Sequence, residues 1–62
     1  MNRNQQIAEL LVQADRCENA ARQIIDGELG EMLTTKARVL RGYVAQMREE
    51  PEYVLPEGVL RF

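Results

Sequence analysis

Two stretches of this chain carry apolar residues at alternating spacings of three and four, and each carries more of them than one helix–helix seam can hide. In the first, Ile7, Leu10, Ala14, Cys17, Ala21 and Ile24 form a stripe, with Leu11 and Ile25 beside it. At 100° per residue this stripe is about 140° wide. The second runs through Leu33, Ala37, Leu40, Val44 and Met47, and Met32, Val39 and Tyr43 widen its arc to about 160°. Both patterns predict helices, one over about 4–26 and one over about 31–49. Asn2 or Asn4 can cap the first. Gly27 is a natural stop for it, with Gly30 close behind. The second starts near Glu31, or from a cap at Thr34 or Thr35, and stops before Pro51, which disfavours helical geometry at Glu50.

The connection DGELG is short, so the helices are expected as antiparallel neighbours. The expected fold is therefore all-α. Residues 1–50 form a helical hairpin and residues 51–62 an extended C-terminal arm, with pairing into a four-helix dimer or a higher oligomer. Small residues at Ala14, Cys17 and Ala21 allow the helices to approach closely. A pair of helices facing only each other needs a narrow seam. Here one side of the second helix, with Met32, Val39 and Tyr43, is left for something else.

Length sharpens that point. A chain of 62 residues is one small domain, and a lone monomer of this size is marginally stable. With one cysteine and no histidine, it holds neither a disulfide framework nor a zinc site of its own, and no metal or cofactor is expected. Regular packing and self-association remain. No signal-peptide core or membrane-length apolar run occurs, and one cysteine does not argue for an oxidising compartment. The expectation is a cytoplasmic protein with no membrane partner.

The arm PEYVLPEGVLRF concentrates apolar residues: Tyr53, Val54, Leu55, Val59, Leu60 and Phe62. Leu55–Gly58 suits a tight turn with Pro second and Gly fourth, and its flanks favour extended structure. A minimal two-stranded hairpin is marginal alone and needs a surface beneath it. Burying four or five such side chains contributes on the order of 6–10 kcal/mol before entropy, so the arm matters to stability. Three placements follow: over Met32, Val39 and Tyr43 of its own hairpin, swapped onto a second copy, or docked on a different protein, where it could add a strand to a sheet edge.

Charge is layered along the chain. Residues 1–31 carry three arginines against six acids, residues 32–48 carry Lys36, Arg38, Arg41 and Arg48 with no acid, and residues 49–62 are acidic again. The basic segment is expected to lie between the acidic ones in the fold. Lys36 falls inside the apolar arc of the second helix and Glu18 inside that of the first. With the connection near residues 27–30, Lys36 lies opposite Ala21 and within a turn of Glu18, so a register-fixing Glu18–Lys36 pair is one expectation. The other is a lysine laying its methylenes along the seam.

Chemistry finds little to work with. Cys17 sits mid-stripe with no histidine to activate it, which marks a core thiol. There is no serine for a triad, and the carboxylates are dispersed. Gly42 lies inside the second helix, on the side away from the core. The expected function is a non-enzymatic interaction protein that regulates or inhibits a larger protein partner, of a size and style common in bacterial and phage genomes. Its expected contact residues are Tyr43, Tyr53, Val54, Leu55, Val59, Leu60 and Phe62. The alternatives are a binder of nucleic acid or nucleotide through Lys36, Arg38, Arg41 and Arg48, and a structural homo-oligomer subunit.

Overall fold

The computed structural model describes residues 2–60. Its two helices, α1 (Arg3–Gln23) and α2 (Gly27–Glu49), pack against each other over their length. Arg3 at the start of α1 meets Met47 near the end of α2, so the hairpin is antiparallel as expected. The described residues form no strand.

Each helix starts where a side chain satisfies its free N–H groups. At α1 the Asn2 Oδ1 accepts from the Gln5 N–H at 2.8 Å, and the Gln5 Oε1 accepts from the Asn2 N–H at 3.0 Å. This reciprocal capping box fixes the start at Asn2 rather than Asn4. At α2 the Asp26 carboxylate accepts from the N–H groups of Glu28 (2.9 Å) and Leu29 (3.2 Å). The cap overrides the expectation that Gly27 ends the first helix. α1 stops at Gln23, residues 24–26 make the whole connection, and Gly27 is instead the first residue of α2. Glycine costs less in a first turn, where its N–H is unbonded in any case, than in a helix interior. Leu29 is accordingly helical. The far end behaves as expected: Glu50 leaves helical geometry at φ −120°, immediately before Pro51.

The core is one cluster: Leu10, Ala14 and Cys17 from α1 against Ala37, Leu40, Val44 and Met47 from α2. Ala14 faces this seam with no exposed surface, which lets the helices close on each other. Ile7, Leu11, Leu33 and Tyr43 pack around it, half-buried. A two-helix core has two open flanks and one open end, and the chain after α2 goes to the end.

That segment turns twice. The Tyr53 N–H donates to the Glu50 carbonyl at 2.9 Å across Pro51, and the Val59 N–H donates to the Pro56 carbonyl at 3.3 Å. The second turn is therefore Pro56–Val59, one residue later than Leu55–Gly58. Gly58 stands third in it at φ +92°, a position where a type II turn demands glycine. Tyr53, Leu55, Val59 and Leu60 pack half-buried against the hairpin core. Met32 and Val39, which the first of the three placements would have covered, stay 63% and 50% exposed.

Candidate interaction surface

Arg3 fastens the open end of the hairpin. Its guanidinium donates to the carbonyls of Glu50 (2.7 Å), Met47 (2.8 Å) and Tyr53 (3.1 Å). The last carbonyls of a helix have no partner within it, and a cation there also answers the negative end of the helix dipole. A guanidinium fork with five donors can serve three carbonyls at once. Sequence reasoning missed Arg3. The signal was there: in an antiparallel hairpin the first turn of α1 lies beside the last turn of α2, so an early arginine is placed to cap a distant helix end.

The contact residues expected in the arm divide unequally around this clamp. Tyr53, Leu55, Val59 and Leu60, with Tyr43 of α2, lean on the protein's own core, and Val54 between them is 82% exposed. Phe62 lies outside the described residues.

The basic residues of α2 do not converge. Arg41 crosses to α1, where its Nε donates to Glu18 Oε1 at 2.7 Å and its Nη2 to Asp15 Oδ1 at 3.0 Å. The hydrogen bond that Arg41 donates to Glu18 leads, and that to Asp15 adds, in raising the Arg41 guanidinium above its usual range. Glu18 therefore pairs with Arg41, and the expected Glu18–Lys36 pair is not formed. Lys36 sits about 140° round the helix from Arg41, on the other flank, and so turns away from Glu18. Arg38 lines an open groove of about 500 Å³ together with Arg22, Thr34, Ala37, Arg41 and the carboxylate of Glu18. Lys36, Arg38 and Arg48 are all exposed.

Cys17 is buried in the core as a free thiol. Among the described residues no cluster of cysteine and carboxylate side chains gathers as a metal site would, and no helix is long and apolar enough to cross a membrane.

Compared with family models, curated proteins and solved structures, the chain matches none.

The largest uncovered apolar feature is on α2. Leu29, Met32 and Val39 are 44%, 63% and 50% exposed, and Ile25, just before the cap, is fully exposed. Together with Lys36 and the half-buried Tyr43 they continue one stripe at spacings of three and four: 29, 32, 36, 39, 43. It runs beside the core set 33, 37, 40, 44, 47, one residue out of step. Isolated exposed apolar residues are ordinary on a monomer, whereas a contiguous run of them marks a contact surface.

Proposed function

We propose that this chain is a small, non-enzymatic interaction protein that regulates or inhibits a larger protein partner by presenting a preformed surface. The observation that carries the proposal is the stripe of Leu29, Met32 and Val39, uncovered along a helix whose two ends are both capped, with Ile25 exposed just before it. A rigid helix bearing an apolar stripe binds without the ordering cost that a flexible segment would incur. The second component of the surface is the fastened arm, with Val54 outermost and Tyr43, Tyr53, Leu55, Val59 and Leu60 supporting it. Cross-linking mass spectrometry of the tagged chain in its host tests this. A partner cross-linked near α2 or the arm, and lost in Met32→Glu and in Val54→Glu, is the expected result. Cross-links unaffected by both substitutions would overturn the proposal.

A second reading, an anionic-ligand binder, is favoured by Arg22 and Arg38. They line the same inter-helix groove, and neither makes an ion pair among the described residues. Arg41, at the groove's edge, is already neutralised by Asp15 and Glu18. Fluorescence anisotropy with DNA, RNA and nucleotides at low and high salt tests it. Salt-sensitive binding lost in Arg38→Ala is expected on that reading, and no binding at low salt ends it.

A further inference from the structure

We infer that the α2 stripe is covered by the α2 stripe of a second copy of this chain, packed antiparallel about a two-fold axis level with Thr34. This rests on reading the stripe as an interaction surface; it assigns the stripe to a second copy and leaves the fastened arm as the surface for the larger partner.

The stripe has the spacing of a helix–helix seam, and from Leu29 to Tyr43 it runs about 21 Å. A two-fold contact is self-complementary: if residue i meets residue j, then j meets i. An axis at residue 34 brings Leu29 against Val39 of the second copy and Met32 against its Lys36. Every large apolar side chain exposed on this flank then finds an apolar mate or a methylene stem. An axis at residue 36 would set Lys36 directly on its own image, whereas at residue 34 the two lysines are offset by four residues, about 6 Å along the helix.

Lys36 decides the direction. It is the one charged residue within the stripe, it is exposed, and it makes no ion pair among the described residues. A parallel pairing would set it against the Lys36 of the second copy, and one lysine at such a seam position discriminates between arrangements. The antiparallel pairing brings its ammonium to a shallow depression lined by Glu28, Glu31, Met32, Thr35 and the resident Lys36, so that two carboxylates there face two ammonium groups. Glu28 and Glu31 both lie within about one turn of the Met32 that Lys36 faces. The lysine stem covers the Met32 side chain while its charged end reaches the two carboxylates. Two hairpins joined in this way make a four-helix assembly with α2 at the centre. The arm-bearing ends then point in opposite directions, free for a larger partner.

The full-length chain tests this by sedimentation equilibrium. The expected species is a dimer of the 7.1 kDa chain. Met32→Glu, its helicity checked by circular dichroism, weakens association by about 100-fold or more, because it places two carboxylates in the seam. Lys36→Glu weakens it too, and the charge-exchanged variant K36E with E28K and E31K restores it. Chains carrying Leu29→Cys and chains carrying Val39→Cys form mixed disulfides with each other in preference to like pairs. A dimer indifferent to M32E, or a K36E defect that E28K and E31K do not repair, would overturn the inference. So would a chain that is monomeric at about 100 μM, far above the dissociation constants of specific complexes. A monomer whose partner cross-links are still lost in M32E would overturn self-association alone and leave the proposed function standing. Cross-links unchanged in M32E would remove the stripe from that function as well.

Discussion

Arg3 shows how one side chain near the start of a chain can hold its end. Three carbonyls from the last turn of α2 and the segment beyond it accept from a single guanidinium. Removing it leaves those carbonyls to water and releases the arm from α2. Arg3→Ala is expected to lower stability by about 1–2 kcal/mol in urea unfolding, and to speed amide exchange at Tyr53 more than in the middle of α1. Arg3→Lys recovers only part, because an ammonium lacks the planar fork. Arg41 is the contrasting case. Its pairs with Asp15 and Glu18 lie at the surface, where water and salt screen them. Arg41→Ala should shift the thermal midpoint by no more than a few degrees in low salt, with the shift fading as salt is raised. An unfolding loss that persists in high salt would show the pair to be structural. Of these two arginines, sequence reasoning reached only Arg41, through the general expectation that the basic segment pairs with acidic α1. It assigned Glu18 to Lys36 because it weighed the register between the helices but not the flank of α2 on which each cation stands.

Among the elements, the helices were legible because hydrophobic periodicity is local, and both stripes survive in the observed core. Boundaries were less so. Gly27 is a credible stop when glycine alone is weighed, and a first-turn residue once Asp26 is seen to cap the next helix. The turn at Pro56–Val59 was displaced for a related reason: Gly58 is needed for its positive φ, which places it third. Gly42 gives a prediction at this scale. It is exposed in the interior of α2, and a methyl group there would meet nothing within 4 Å. Gly42→Ala should therefore stabilise the chain by about 0.5–1 kcal/mol, read by urea unfolding, through helix propensity alone. No change, or a loss, would show that another chain approaches the backbone there. The position lies outside the 29–43 stripe, so the substitution should leave association unchanged.

At the scale of the whole molecule, the hairpin is 40 Å long and 18 by 17 Å across, with one layer of core between its helices. So thin a core gains a large share of its burial from whatever closes its open end. Here that is the arm, packed in cis through Tyr53, Leu55, Val59 and Leu60. A chain truncated after residue 51 should lose cooperative thermal unfolding, and one that still melts in a single sharp transition would show the arm to be dispensable. The arm leaves α2's outer stripe open, and the excess of apolar surface visible in the sequence is concentrated there. That excess was legible, but what would cover it was not, since the arm's path depends on Arg3 and on turns that no helical pattern encodes. The methionine methyl groups offer the most direct test of the claim that α2's outer stripe is closed only by another chain. Met47 is buried in the core, and Met32 is open on the stripe. With a soluble paramagnetic probe in methyl-resolved NMR, Met32 should relax strongly in dilute protein and become protected as protein or partner concentration rises, while Met47 stays protected throughout. A Met32 methyl shielded in dilute monomer, or exposed under every condition, would contradict it.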